Sequence, residues 1–190
     1  MDSPVIVTSP LDNDSVRSLH AGDRALITGT LYTARDSAHK RFAELIASGK
    51  RLPVDLNGQI LYYSGPSPAP PGRPIGSAGP TTSGRMDKYT PLLLTTTGLK
   101  GMIGKGDRGS EVVDAIVKNT CVYFAAIGGT GALIARCIKK ARIVCYEDLG
   151  AEAVYELEVE RLPVIVAIDC NGNNLYREGP QRYSSYGSST

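Results

Sequence analysis

The feature that most constrains the fold of this chain is a nearly all-apolar run from Cys121 to Ile127. A strand of this composition must be covered on both faces, as the strands of α/β sheets are. Helical patterns flank the run, one beginning at Ser110 and one covering 132–140. Strands come first along the chain and then alternate with helices, which predicts a layered α/β domain with a mixed sheet. A length of 190 residues fits one domain.

Local patterns predict the other elements. Thr33 and Asp36 have the spacing of a capping box, followed by an apolar helical stripe that ends at Gly49. The Asn57-Gly58 pair within 54–64 predicts a hairpin. Further helices are predicted at 14–19 and 92–97, and further strands at 24–32, 100–103, 141–146, 154–159 and 162–169.

Two segments lack the pattern of regular structure. Between Pro66 and Pro74 five of the 12 prolines occur in nine residues, which predicts an extended loop that is mobile or exposed. The serine-rich residues 181–190 are predicted to be a disordered tail. The loop leads directly into the segment that carries the first candidate site, which favours a functional role for it.

The bulk properties exclude several classes of protein. A net charge of +2, with no basic run that contains aromatic residues, argues against nucleic-acid binding. No apolar segment approaches the roughly 20 residues that span a bilayer, and no signal-peptide pattern is present, which predicts a cytoplasmic protein without a membrane partner. The widely spaced cysteines form no C-x-x-C pair, so we expect buried, reduced thiols and no metal site: Cys121, Cys137, Cys145 and Cys170.

The segment from Gly79 to Asp87 has the composition of an anion site. Pro80 fixes one φ angle and the glycines open the backbone. Three hydroxyl residues, Thr81, Thr82 and Ser83, then lead to Arg85 at a predicted helix start. Free N–H groups, hydroxyls and a guanidinium together favour a small anion.

Two further segments place a cation beside a helix start or a strand end. Arg35 lies in the first turn of the helix after Thr33, where a cation opposes the helix dipole and needs an acid or an anion beside it. Lys105 lies between two glycines after a strand. Three such elements in one small domain would suit a dicarboxylate. Gly128 to Gly131 fits neither common phosphate-loop motif and is interpreted as close backbone packing or a subunit contact.

Three segments resemble the signature segments of class I fumarate hydratases and occur in the same order. They are Thr33-Ala34-Arg35-Asp36-Ser37-Ala38-His39-Lys40-Arg41, Gly79-Pro80-Thr81-Thr82-Ser83-Gly84-Arg85-Met86 and Gly101-Met102-Ile103-Gly104-Lys105-Gly106. The resemblance is to the β subunit, which corresponds to the C-terminal domain of the single-chain enzymes. It implies a swivelling β/β/α domain, here spanning 1–180.

The resemblance also implies an active site shared with a second chain. An α subunit would carry a [4Fe-4S] cluster on three cysteines, leaving one iron to bind a carboxylate and a hydroxyl of the substrate. The cluster would then have no ligand in this chain. Such enzymes typically form dimers of αβ pairs.

Roles for particular residues follow from the same resemblance. Arg35, Arg85 and Lys105 would bind the substrate carboxylates. Thr81, with Thr82 beside it, would be catalytic, at the carbon that gains or loses a proton. His39 and Asp36 would support the site.

The implied reaction is the reversible hydration of fumarate to (S)-malate, a step of the tricarboxylic acid cycle. Three alternatives remain. The chain could be the β subunit of an L-tartrate dehydratase, in which a cysteine tends to replace Ala34, or of a mesaconate hydratase. It could also be a non-catalytic module that binds an anion or metabolite.

Overall fold

The structure, a computed structural model, describes residues 3–126 and 131–184, with the backbone alone for 180–184. Its strands and helices in chain order are β1 (Val5–Ser9), α1 (Asn13–Arg17), β2 (Arg24–Thr33), α2 (Asp36–Ala47), β3 (Ile60–Tyr62), α3 (Thr90–Thr97), β4 (Gly101–Gly104), α4 (Ser110–Asn119), β5 (Val122–Ala125), α5 (Gly131–Cys137), β6 (Ile138–Cys145), β7 (Val154–Ile168) and α6 (Leu175–Ser184). Two 3₁₀ turns cover Ser83–Met86 and Glu147–Glu152.

The strands of the described residues form one mixed sheet, as predicted. Strands β1 to β5 run parallel to their neighbours in that order. Strand β7 runs antiparallel to β2, β5 and β6. The pairings β2–β3–β4–β5–β7–β2 therefore form a closed circuit. Strand β1 pairs with β2, and β6 pairs with β7, outside this circuit.

Both faces of the sheet carry apolar side chains, which confirms that 122–125 is a buried strand. Val122 and Phe124 of β5 belong to one apolar cluster, together with residues of α1 and α5. Tyr123 points to the opposite face, where a second cluster is covered by α2, α3 and α4. Both faces are thus excluded from water, which explains the all-apolar run. Ile127 lies outside the described residues.

The predicted hairpin at Asn57-Gly58 is wrong. Gly58 does occupy a turn, with φ of +72°, but the residues before it form no strand. Leu56 packs under the helices instead. The short strand β3 that follows pairs in parallel with β2 and β4.

The capping box is also wrong, and α2 begins at Asp36, two residues later than predicted, so that Arg35 precedes the helix instead of lying in its first turn. Thr33 is the last residue of β2, and the N-cap of α2 is Arg35, which makes no side-chain capping bond. The Thr33 hydroxyl accepts a hydrogen bond from the Tyr155 N–H at 3.0 Å. It is therefore used to join β2 to β7.

The C-terminal strands are longer than predicted. Strand β7 is continuous over 15 residues, with Arg161 at φ +52° between the two predicted strands. The helix predicted over 132–140 ends at Cys137, because Lys139 and Lys140 lie in β6 and pair with Glu160 and Glu158 of β7. Helix α6 continues through Ser184, four residues into the predicted tail, and 185–190 lie outside the described residues.

Candidate functional site

The parallel strands bring the predicted site segments to one edge of the sheet. Arg35 follows the end of β2, and Lys105 follows the end of β4. The carboxyl ends of neighbouring parallel strands lie on the same side, which is where α/β sheets commonly bind ligands. The intervening strand β3 ends at this edge too, at Tyr62.

The segment Thr81–Ser83 continues the sheet where β3 stops. The Thr81 N–H donates to the carbonyl of Tyr63 at 2.6 Å. Thr82 forms a parallel bridge with Lys105, in which the Ser83 N–H donates to the Lys105 carbonyl at 2.9 Å and the Lys105 N–H to the Thr81 carbonyl at 3.3 Å. The backbone therefore places Thr82 beside Lys105, with Thr81 one residue before the bridge.

The loop between β3 and Thr81 leaves the edge of the sheet and returns to it. Its residues from Ser67 to Pro74 are exposed and form no helix or strand, which confirms the predicted exposure except at Pro66, which is buried. Two backbone bonds close its neck, from the Ser67 N–H to the Ser77 carbonyl and from the Gly76 N–H to the Ser67 carbonyl. These two bonds hold the ends of the loop together, so the chain re-enters the edge of the sheet at Thr81.

Asp36 joins the two predicted arginines. It pairs with Arg85 through Nε to Oδ1 and Nη2 to Oδ2, both 3.0 Å. Arg35 Nη2 lies 3.9 Å from Asp36 Oδ2 and 3.3 Å from Glu152 Oε1. The acids that Arg35 was predicted to need are thus Glu152 and Asp36.

The guanidinium groups keep unused hydrogen-bonding capacity. Arg85 is 51% exposed, and its Nη1 forms no hydrogen bond or ion pair with another described residue. Arg35 Nε is buried and has no hydrogen-bond partner within the described part of the chain. Its Nη1 packs so closely on Gly65 that a Cβ there would lie at 2.7 Å. Among the described residues, the exposed Lys105 side chain has neither an ion pair nor a hydrogen bond.

The three hydroxyl residues differ in availability. Ser83 is fully buried, and its Oγ lies 2.9 Å from the hydroxyl of Tyr123. Thr81 is partly exposed and Thr82 exposed. Within the described part of the chain, no hydrogen bond holds either threonine hydroxyl, so both can reach a bound molecule.

His39 is buried and contacts the backbone of the site residue Arg35. It is 1% exposed, and burial lowers its pKa to about 4, so the imidazole is neutral at pH 7. Its Nδ1 lies 2.9 Å from the Arg35 carbonyl. Since a carbonyl only accepts, Nδ1 carries the proton. The ring packs edge-on against Tyr63, and thus fixes the backbone of Arg35.

Sequence reasoning missed a buried ion pair beneath the site. Arg108 Nε donates to Asp87 Oδ1 at 2.7 Å, and the Arg108 side chain is 0% exposed. The guanidinium lies against the rings of Tyr63 and Tyr123. Asp87 also accepts a hydrogen bond from the Gly109 N–H at 2.7 Å. Arg108 follows the glycine-rich Lys105 segment. Its sequence context does not show that its side chain turns into the core, so the sequence alone could not assign it to the site.

The described residues do not fit an iron–sulfur cluster held by this chain. No three His, Cys, Asp or Glu side chains among them could hold a metal ion. The four free cysteines are separate, two buried and two partly buried. The expectation of buried thiols therefore holds for Cys121 and Cys170, and is wrong for Cys137 and Cys145, which are partly exposed.

The glycine segment 128–131 can be assessed only at Gly131, because 128–130 lie outside the described residues. The Gly131 carbonyl accepts from the Ala78 N–H at 3.2 Å. A Cβ on Gly131 would lie 2.9 Å from the Gly79 nitrogen. This is the close backbone packing that was predicted, and it lies beside the Thr81 segment.

An apolar cavity of about 410 Å³ lies elsewhere, lined by residues such as Ala25, Ile134 and Val164. Its lining includes none of the predicted site residues. Arg24 is the one charged residue of this lining among the described residues. One cation in an otherwise apolar cavity cannot compensate two carboxylates, so the cationic edge is the better candidate. Within the described residues, no helix has the length and apolar character needed to cross a membrane.

Comparison with known families identifies the family of the chain. The model of the family described as Fumarase C-terminus matches residues 3–179. The chain belongs to this family. All of the predicted site residues lie within the matched range.

Named relatives come from bacteria, protists and archaea. The chain is 42% identical over 156 residues to "Fumarate hydratase class I, anaerobic" of Escherichia coli and 41% identical to "Fumarate hydratase 1, mitochondrial" of Leishmania major. Each match covers 82% of this chain but 28% of the relative. The chain therefore spans just over a quarter of these enzymes.

A third relative has a similar length. The "Putative L(+)-tartrate dehydratase subunit beta" of Methanocaldococcus jannaschii is 38% identical over 173 residues, which cover 88% of this chain and 89% of that protein. Members of the Fumarase C-terminus family thus include both part of a long enzyme and a protein named as a separate subunit.

Proposed function

We propose that this chain is the β subunit of a [4Fe-4S]-dependent fumarate hydratase that interconverts fumarate and (S)-malate. The observation that supports the proposal is that the segments of Arg35, Arg85 and Lys105 meet at one edge of the sheet, together with Thr81 and Thr82, whose hydroxyls form no hydrogen bond with another described residue. Membership of the Fumarase C-terminus family supports the assignment of this chemistry to the edge. We further propose a swivelling β/β/α domain spanning 1–180, and a role in the tricarboxylic acid cycle.

The three cations would bind the two carboxylates of the substrate. Asp36 and Glu152 carry two negative charges against the two positive charges of the arginines, whereas Lys105 has no acidic partner among the described residues. The edge therefore retains a net positive charge. Removing a proton next to a carboxylate builds negative charge on that group, and fixed cations stabilise it.

Thr81 would lie at the carbon that exchanges a proton. Its backbone is fixed by Tyr63 and Lys105, so its hydroxyl is held at a constant place relative to the lysine. A proton donor or acceptor must be within hydrogen-bond reach of the carbon it serves. Thr82, one residue on, would complete the polar wall of the site.

The cluster is proposed to lie on an α subunit that docks at this edge. The separate positions of the cysteines and acids in this chain support a partner as the source of the ligands. The assembly would be a dimer of αβ pairs. The isolated chain would then bind a dicarboxylate weakly and would not turn it over.

A tartrate dehydratase subunit is the second candidate, favoured by the name of the archaeal relative, and mesaconate hydration is a third. Anaerobic coexpression with the α-type partner of the same organism, followed by assays with fumarate, mesaconate and L-tartrate, distinguishes them. We expect the highest kcat/KM with fumarate. Full activity of the isolated chain, or no complex with the partner, would refute the subunit proposal.

A further inference from the structure

The hydroxyl of Tyr123 lies between the two segments that carry the proposed site. It is 2.9 Å from Ser83 Oγ and donates to the Gly106 carbonyl at 2.8 Å. Ser83 belongs to the segment of Thr81, and Gly106 follows Lys105. Tyr123 itself is fully buried in β5, the strand next to β4.

The direction of both hydrogen bonds can be assigned. A carbonyl oxygen only accepts, so Tyr123 donates its proton to Gly106. The Ser83 hydroxyl must then donate to the Tyr123 oxygen. Burial raises the pKa of Tyr123 above its usual value, so the phenol keeps the proton that this arrangement needs.

The Gly106 peptide is held on its other side as well. Its N–H donates to the hydroxyl of Tyr176 at 3.1 Å, and Asn174 Nδ2 donates to the adjacent Asp107 at 2.9 Å. Gly106 has φ of +85°, a conformation that favours glycine. The loop after Lys105 is thus fixed between β5 and the start of α6.

We infer that Tyr123 is a positioning residue, which holds the Thr81 hydroxyl and the Lys105 ammonium at the spacing that a dicarboxylate requires. The substrate named in this inference rests on the proposed function. The contacts of Tyr123 with Ser83 and Gly106 are independent of that function. Without the phenol oxygen, Ser83 and Gly106 would each lose a buried partner. Next to Thr81 and Lys105, the link that remains among the described residues is the Thr82–Lys105 bridge, while Asp87 still holds Arg108 and Gly109 further along the two segments.

The direct test compares Tyr123→Phe with the wild-type chain by amide hydrogen exchange. The Ser83 and Lys105 amides form the bridge, so we expect their exchange to accelerate about tenfold or more relative to amides of β4, as local opening becomes easier. Tyr146→Phe is the matched control, because the buried Tyr146 hydroxyl has no hydrogen-bond partner. Unchanged exchange in Tyr123→Phe, or equal acceleration throughout the sheet, would overturn the inference.

The second measurement uses the complex with the cluster-bearing partner. A displaced Thr81 should lower kcat about tenfold or more while KM changes less, because small errors of placement slow the chemical step. Ser83→Ala should lower kcat less, and adding it to Tyr123→Phe should cause little further loss. An unchanged kcat in Tyr123→Phe would refute the inference. If the wild-type complex hydrates no dicarboxylate, the proposed function fails, and hydrogen exchange alone decides whether Tyr123 joins the segments.

Discussion

The guanidinium of Arg85 pairs with the carboxylate of Asp36 through two contacts of 3.0 Å. The pair joins the 3₁₀ turn after Thr82 to the first turn of α2, where an acid is favoured by the helix dipole. The same carboxylate lies 3.9 Å from Arg35. Asp36 therefore orders two of the three cations of the proposed site.

The planar fork of Arg85 should be essential for turnover. Arg85→Lys keeps the charge but loses the two-point contact, so kcat/KM of the complex should fall by about 100-fold, and Arg85→Ala should abolish it. The side chain is 51% exposed, so the free energy of unfolding should change by less than about 1 kcal/mol. Arg41→Lys, which breaks the distant pair with Asp148, is the control. Full activity in Arg85→Lys would refute this role.

The Thr81 hydroxyl should be needed for proton transfer. Thr81→Val keeps the shape of the side chain and should lower kcat by about 100-fold, whereas Thr81→Ser should stay within a few-fold of wild type. Thr95→Val removes an exposed threonine hydroxyl that bonds within α3 and should leave kcat unchanged. Steady-state assays of the complex make the comparison. Wild-type kcat in Thr81→Val would show that another group moves the proton.

Acidic pH should destabilise the chain through His39. Burial lowers the pKa of this imidazole to about 4, below the 6.5 of an unfolded histidine. The unfolded state therefore takes up a proton that the native state does not. The resulting stability is present above pH 6.5 and is lost as pH falls towards 4, by about 2 kcal/mol between pH 7 and pH 5.

Urea unfolding of wild type and His39→Gln at these two pH values measures the effect. The free energy of unfolding of His39→Gln should be lower at pH 7 but should fall less on going to pH 5. His20→Gln, which changes an exposed histidine, serves as the control. An equal fall in wild type and His39→Gln would contradict the assignment.

Gly104 should accept no side chain. A Cβ there would overlap Ser83 Oγ and lie 3.0 Å from the Tyr63 ring, so Gly104→Ala must displace the Thr81 segment. We expect a loss of about 1–3 kcal/mol in the free energy of unfolding, together with a fall in kcat. Gly84→Ala is the matched control, since a Cβ at Gly84 meets no atom within 4 Å. Equal stability of the two variants would contradict this packing.

The sequence predicted the elements that depend on local patterns. Strand β5 and the end of α3 at Gly98 follow from an apolar run and a glycine with φ of +71°. The closed circuit could not be predicted, because it depends on β7 pairing with both β2 and β5. The hairpin at Asn57-Gly58 failed for the same reason, since β3 finds its partners far along the chain.

The sequence predicted which residues form the candidate site, but not how their side chains pair with one another. Glycines and cations marked the segments of Arg35, Arg85 and Lys105. Nothing local indicated that Asp36 would pair with an arginine 49 positions away. The inward fold of Arg108 and the Tyr123 contact with Gly106 likewise depend on packing between distant segments, which no short motif records.

The most direct test of the account is a titration of the purified α-type partner, with its cluster reconstituted, by this chain. Fumarate hydration is measured at each ratio under anaerobic conditions. We predict no turnover by either chain alone and a rate that saturates at one chain per partner. The Arg85→Ala chain should compete with wild type for the partner and lower that rate. Turnover by either chain alone, or none at any ratio, would contradict the account.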